Sequence, residues 1–243
     1  MINVLISVPC KNNPDTILLK NKRYSDDVNK LKNENIAIVD LEESFGNKLS
    51  LSEFGNKAIS KALEKKYDYL ILMHSDVDLS IYDFVKNLIK TKDKYDIVGL
   101  VGTKKLFISQ SPLTWFTGSN KFTKERYGRI TQNVNGMMLE SFFNRENPNV
   151  LDTEVITIDG LLMCLNRKTM LNEKARFDEQ FTFDFYDLDF CMNVQLNTDL
   201  KIGVFVQQAI HESIGKSVLS DKYLIPERKF RIKWNCLLQN QNQ

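Results

Sequence analysis

YLILMHSDVDL (residues 69–79) is a run of apolar residues that stops abruptly at a polar, acidic end. Five large apolar side chains in a row suit a strand buried on both faces. The run is flanked by two segments of helical periodicity. LSEFGNKAISKALEKK (51–66) sets Phe54, Ala58, Ile59 and Ala62 on one face, and SIYDFVKNLIKTK (80–92) aligns Phe84, Leu88 and Ile89. Ser50 or Ser52, and Ser80, are placed to cap these helices. Further out, INVLISV (2–8), IAIVD (36–40) and DIVGLVGT (96–103) read as three more strands. Strand and helix alternate, which predicts an α/β fold: a mostly parallel central sheet, Rossmann-like, with helices on both faces.

Beyond residue 104 the pattern weakens. Trp115, Phe116, Phe122, Tyr127, Phe142 and Phe143 are scattered among Gly, Ser, Asn and Lys. Strand character returns in VITIDGLLMCLNR (155–167), broken at Asp159-Gly160, and in KIGVFVQQAIH (201–211). FYDLDFCMNVQLN (185–197) reads as a helix. In LIPERKFRIKWNCLL (224–238) a helix is expected to start after Pro226, with Phe230, Trp234 and Leu237 or Leu238 on one face. The expectation is a single domain over 1–243, with a regular half (1–104) and an irregular extension of the same sheet (105–243).

The composition narrows the field. At 243 residues and 42% hydrophobic, the chain can bury a sizeable core. A mean hydropathy of −0.31 without a long apolar run argues against a membrane span. A net charge of +2 is too balanced for a nucleic-acid coat. Cys10, Cys164, Cys191 and Cys236 are widely spaced, form no CxxC, and read as reduced buried thiols. Residues 1–10 lack the basic start and cleavage site of a signal peptide, so a cytoplasmic location is expected.

Three clusters can carry chemistry. In His74-Ser75-Asp76-Val77-Asp78 an extended chain points both aspartates one way, where they repel unless a cation lies between them. Oxygen ligands of this kind suit Mg²⁺ or Mn²⁺; a solvated, helix-capping turn is the plainer reading. The chain has two histidines, and the second, His211, also ends a strand-like run. It can join the aspartates if the two strand ends meet in space. The third cluster is Phe177-Asp178-Glu179 with Phe183-Asp184-Phe185-Tyr186-Asp187-Leu188-Asp189-Phe190. Carboxylates among aromatics have raised pKa values and can act as bases, or they can simply favour a helix N-terminus.

Taken in order, these stretches resemble the GT-A glycosyltransferases, in particular small bacterial and viral members similar to glycosyltransferase family 2 with an HxDxD motif. The resemblance runs through ISVP, LMHSDVDL, DIVGLVGT, VITIDGLLMCLNR, RFDEQFTFDFYDLDFCMNV, AIHESIG and KFRIKW, from Met1 to about Trp234. Two places depart from it. Asp40-Leu41-Glu42-Glu43 stands where an acidic turn such as DDGS is common, and Tyr186-Asp187 stands where Glu-Asp is.

The resemblance implies a metal-dependent transfer of a sugar from a nucleotide-diphosphate sugar, UDP- or GDP-linked, to a glycan hydroxyl, with inversion. Residues 1–104 would then be the nucleotide-sugar half and 105–243 the acceptor and catalytic half. It implies Asp76, Asp78 and His211 as ligands of Mn²⁺ or Mg²⁺, and Asp187 as the base. Val8, Pro9, Asp40 and Asn56 would approach the nucleotide, and Asp76 its ribose. Asp159, Gly160, Asp189 and Trp115 would lie on the acceptor side. Lys216 can reach the diphosphate from a segment, 212–222, expected to close over it. A sugar nucleotidyltransferase should carry a Gly-rich phosphate loop after the first strand, where SVPCKNNPD has no glycine. A non-catalytic glycan- or protein-binding relative is the other alternative. Segment 216–235 holds six basic against two acidic residues. It reads as a helix docked on its own domain or as a peripheral contact with an anionic membrane.

Overall fold

Alternation along three strands sets the core. In β1 (Ile2–Cys10), Leu5 joins one apolar cluster while Val4 and Ile6 join another. β3 (Tyr69–Met73) divides Leu70 and Leu72 from Ile71 and Met73 in the same way, and β11 (Leu162–Asn166) divides Met163 and Leu165 from Leu162 and Cys164. Strands apolar on both sides must be covered on both sides. The computed structural model describes residues 1–10, 22–45, 48–106, 125–134, 136–142, 151–212 and 221–239.

Among these, a seven-stranded sheet has the order β2-β1-β3-β11-β5-β12-β9, with β2 (Ala37–Phe45), β5 (Ile97–Gly99), β9 (Asp152–Glu154) and β12 (Ile202–Phe205). β2, β1, β3, β5 and β12 point one way, while β11 and β9 run against them. One face carries α2 (Leu51–Glu64), the short α4 (Arg167–Leu171), α5 (Tyr186–Asn197) and α6 (Asp221–Gln239); the other carries α1 (Lys22–Asn33) and α3 (Ile81–Thr91). Ser50 and Glu53 close a capping box at the start of α2, and the Ser80 hydroxyl accepts from the Asp83 N–H at the start of α3. The α/β expectation holds, with helices on both faces of a sheet that is parallel in its first three strands.

Two of the expected strands are broken. DIVGLVGT is not one strand. It bends at Leu100, and β6 (Val101–Thr103) leaves the first sheet for a second. Gly128 in β7 (Arg126–Val134) lets the chains approach closely at this bend: at φ +106°, a Cβ there would lie 2.0 Å from the Leu100 oxygen. KIGVFVQQAIH likewise divides into β12 and β13 (Ala209–His211). The second sheet runs β10-β6-β7-β13-β4, with β4 (Val77–Leu79), β10 (Thr157–Ile158), and β8 (Met137–Phe142) paired to β7.

Two boundaries also move. β2 runs on to Phe45, well past Asp40. The tail helix begins at Asp221 and contains Pro226, instead of starting after it. Its Phe230 and Trp234 are buried, as expected of a docked face. Cys10, Cys164 and Cys191 are buried. Among the described residues, no helix is long and apolar enough to cross a membrane.

Candidate active site

The two strand ends do meet. β13 lies between β7 and β4, pairing His211 with Val77 on one side and with Gln132 on the other. The Glu212 N–H donates to the Asp76 carbonyl at 2.9 Å, which holds the end of β13 over the turn that follows β3. β11 runs antiparallel to β3, so the Asp159-Gly160-Leu161 loop that precedes it arrives at the same end. There the His74 N–H donates to the Leu161 carbonyl at 3.0 Å. Three side chains result whose donor atoms all lie within 4.8 Å of one another: His74, Asp76 and His211. Two imidazoles and a carboxylate are a nitrogen–oxygen donor set that fits a divalent transition ion.

Asp78 is not in that group. Residues 74–77 form a turn, with the Val77 N–H reaching the His74 carbonyl at 3.4 Å, so the two-residue alternation of a strand does not apply between Asp76 and Asp78. Asp78 sits on β4 opposite Ile210 and pairs with Arg23 of α1. His74 occupies the place in the cluster that the sequence reading gave to Asp78.

The electrostatics follow from the geometry. His211 Nε2 lies 3.4 Å from Asp76 Oδ1. Burial works to lower the His211 pKa, but the hydrogen bond and charge of Asp76 outweigh it and raise the value. Burial works to raise Asp76, and His211 more than offsets it. For His74, burial dominates and lowers the pKa against the pull of Asp159 and Asp76. The His74 and His211 ring centroids are 6.1 Å apart.

Asp187 lies in the first turn of α5, against the Asp159-Gly160-Leu161 loop. Its carboxylate accepts from the Gly160 N–H at 2.8 Å and from the Leu188 N–H at 2.8 Å. Burial pushes its pKa up to about 7, the Asp159 charge adds to the rise, and the amide hydrogen bonds pull against it. Asp159 itself accepts from the Leu161 N–H at 2.9 Å and contributes charge to Asp187, His74 and His211 alike. Tyr186 bridges the two groups: its hydroxyl donates to the Gly160 carbonyl at 2.9 Å and lies 3.2 Å from His74 Nε2.

A family profile described as "Glycosyltransferase like family" matches residues 8–223. The chain belongs to this family. The glycosyltransferase has the α/β architecture expected of the GT-A type, and glycosyl transfer is its class of chemistry. No curated protein matches it closely. Three solved structures are similar at low identity. A197 from STIV matches at 12% identity over 90% of this chain and 98% of its own, with a TM-score of 0.44. TarS 1–349 from S. aureus matches at 14% over 87% of this chain and 60% of its own, with a TM-score of 0.48. HddC from Yersinia pseudotuberculosis, complexed with GMP-PN, matches at 13% over 95% and 100%, with a TM-score of 0.41.

The remaining expected site residues of the glycosyltransferase fall elsewhere. Val8 is buried opposite Glu43 and Pro9 pairs with Ser44, whereas Asp40 pairs with Leu5. Asp40 is therefore three residues, about 10 Å, back along the strand from Val8, and it accepts from the Tyr67 hydroxyl at 2.5 Å. The sequence reading ended β2 too early, and so missed that Glu43 and Ser44 stand beside Val8 and Pro9. Pro9, Cys10 and Ser44 line a cavity of about 150 Å³ with Phe54, Thr182 and Phe183. Asn56 faces the segment before α5. It donates to the Phe177 carbonyl at 2.9 Å and to Glu179 at 3.0 Å, and accepts from the Phe177 N–H at 3.0 Å. Asp189 is buried away from Asp187, held by Trp234 Nε1 at 2.9 Å and Lys233 Nζ at 2.9 Å. Trp115, Lys216 and residues 213–220 of the expected closing segment lie outside the described residues. His74 was not placed with Asp76 and His211 from the sequence because a histidine two residues before an aspartate carries no sign of where a turn will aim it.

Proposed function

We propose that the chain is an inverting, metal-dependent glycosyltransferase that uses a nucleotide-diphosphate sugar, UDP- or GDP-linked, and a glycan acceptor. The observation that carries this reading is the carboxylate of Asp187, with its pKa raised to about 7, linked through Asp159 and Tyr186 to the His74/Asp76/His211 cluster. A divalent cation, Mn²⁺ in preference to Mg²⁺ because two of the ligands are imidazoles, would be held by those three residues and would supply positive charge to the donor diphosphate. Asp187 takes the proton of the acceptor hydroxyl. The hydroxyl oxygen bonds to the anomeric carbon, and the pair from the breaking sugar–phosphate bond leaves with the nucleoside diphosphate. The Gly160 and Leu188 amides keep the carboxylate oriented without removing its basicity. The cavity at Pro9 and Ser44 supports a nucleotide at the carboxyl end of β1, where α/β sheets bind ligands.

The test is a thermal-shift series with UDP, GDP and their sugars, each with Mn²⁺ and with EDTA. Stabilisation of about 2.7 kcal/mol is expected at ligand near 100 Kd, and EDTA should cancel it. Nucleotide stabilisation that ignores EDTA would overturn the metal-dependent reading. Two finer points belong to the same proposal. Buried free thiols at Cys164 and Cys191 support a cytoplasmic setting. The outer face of α6 sets exposed Ile225 and Ile232 among Lys222, Arg228 and Lys229, which supports a weak contact with an anionic membrane surface. Cosedimentation with phosphatidylserine vesicles, lost in Lys222/Arg228/Lys229→Glu, checks it.

A further inference from the structure

The Tyr186 hydroxyl carries one proton and touches two partners, the Gly160 carbonyl at 2.9 Å and His74 Nε2 at 3.2 Å. A carbonyl can only accept, so the tyrosine proton belongs to Gly160. The contact with His74 then needs a proton on Nε2 for the hydroxyl oxygen to accept. A neutral imidazole protonated at Nε2 has its lone pair at Nδ1. We propose that Tyr186 is a positioning residue that fixes His74 as the Nε2–H tautomer, leaving Nδ1 as the nitrogen His74 offers to a divalent cation shared with Asp76 and His211. The cation half of this inference rests on the metal-dependent reading above.

Gly160 gives independent support. A Cβ at residue 160 would lie 2.1 Å from the Tyr186 hydroxyl oxygen, 2.5 Å from its Cζ and 3.1 Å from the Asp187 Cβ. Glycine alone lets the tyrosine reach the main chain here. The same residue donates its N–H to Asp187. One glycine therefore anchors both the base and the tyrosine that orients the histidine. Burial does the rest: Tyr186 is 8% exposed and its ring packs 5.9 Å from that of Phe177, so the ring is held by packing and the hydroxyl is free to orient its partners. Partners of this outer kind set the tautomer and orientation of metal-binding histidines, and losing one costs about 10–100-fold in metal affinity.

Tyr186→Phe removes the oxygen and keeps the packing. With two histidines in the chain, the ¹⁵N imidazole spectrum of the full-length protein is simple to assign, using His211→Gln as reference. At alkaline pH without metal, His74 should report the Nε2–H tautomer in the native chain and a tautomer mixture in Tyr186→Phe. Calorimetric titration with Mn²⁺ alone should show about 10–100-fold weaker binding in the variant, with an unchanged far-ultraviolet spectrum. Gly160→Ala should reproduce the tautomer change by displacing the hydroxyl. A native His74 protonated at Nδ1 overturns the proposal, as does a variant with native tautomer and native Mn²⁺ affinity. A native chain that binds no Mn²⁺ but keeps Nε2–H on His74 sinks the cation half and leaves the tyrosine's hold on the imidazole standing.

Discussion

Two pairs of aspartates, each spaced by one residue, stand in different parts of the molecule and divide the same way. After β3, Asp76 joins the histidine cluster while Asp78 pairs with Arg23. On α5, Asp187 faces Gly160 while Asp189 is clasped by Lys233 and Trp234. The backbone decides in both. Residues two apart on a helix are about 200° apart around its axis, so Asp187 and Asp189 cannot share a site. Asp76 and Asp78 would share one on a strand, but a turn intervenes. In each pair the second carboxylate ties neighbouring elements together, Asp78 to α1 and Asp189 to α6.

The widest gap between the members of a pair should appear on α5. Asp187→Asn keeps shape and removes basicity, so transfer should fall about 10²–10⁴-fold. Asp189→Asn should act on stability and leave the pH profile of transfer intact. With the Asp187 pKa near 7, kcat/KM should fall about tenfold per unit below pH 7 and level off above it. Stability runs the other way. A carboxyl whose folded pKa is raised from 3.8 to about 7 holds a proton that the unfolded chain releases, so its contribution is lost as pH rises through that window. Asp187→Asn should therefore melt higher than the native chain at pH 8 and about equally at pH 4. A variant that is slow at pH 8 because it has unfolded would break the comparison.

At the β3 end the readout is metal. Asp76→Ala should abolish Mn²⁺ binding, whereas Asp78→Ala should weaken it by less than about tenfold. If both lose it equally, the turn does not separate the two carboxylates in solution.

The clasp gives the next effect in size. Lys233 bridges Asp178 at 2.7 Å and Asp189, whose side chain is 1% exposed. Lys233→Met leaves a buried carboxylate uncompensated and should cost about 3 kcal/mol or more, a fall of roughly 10 °C in Tm for a chain of this length. Asp189→Asn in the same background should recover part of it. No recovery would mean that the charge of Asp189 is not what the lysine answers.

The regular half was legible because both signals there are local. Two-residue alternation in β1 and β3, and the serine caps of α2 and α3, fix those elements from within a few residues. The site was half legible for the opposite reason. His211 could be named from its place at the end of a strand-like run, and Asp187 from the family resemblance, but the company they keep depends on bends. The break at Leu100 packs against Gly128, which lies 28 residues further along the chain, and the aim of His74 depends on a turn that no periodicity announces. Asp40 was misplaced because polar residues inside IAIVDLEESF look like a strand's end, whereas β2 continues through them with its exposed face outward.

Asn56 carries the smallest expected effect and the sharpest reading of which polar residues belong to the site. Its amide makes three hydrogen bonds to residues 177–179 from the middle of α2. Phe177, which these bonds hold, stacks on Phe190 at 4.4 Å and supports the ring of Tyr186. Asn56 thus acts on the site from beneath, through packing. Asn56→Ala leaves a main-chain N–H and a carbonyl short of partners, which should cost about 1–2 kcal/mol, seen as a lower denaturation midpoint at unchanged slope. UDP affinity with Mn²⁺ should stay within about twofold, or about 0.4 kcal/mol, because the amide acts through packing and makes no contact with the ligand. A loss of tenfold or more in nucleotide affinity with little change in stability would return Asn56 to the nucleotide. In that case α2 itself would have to contact the donor.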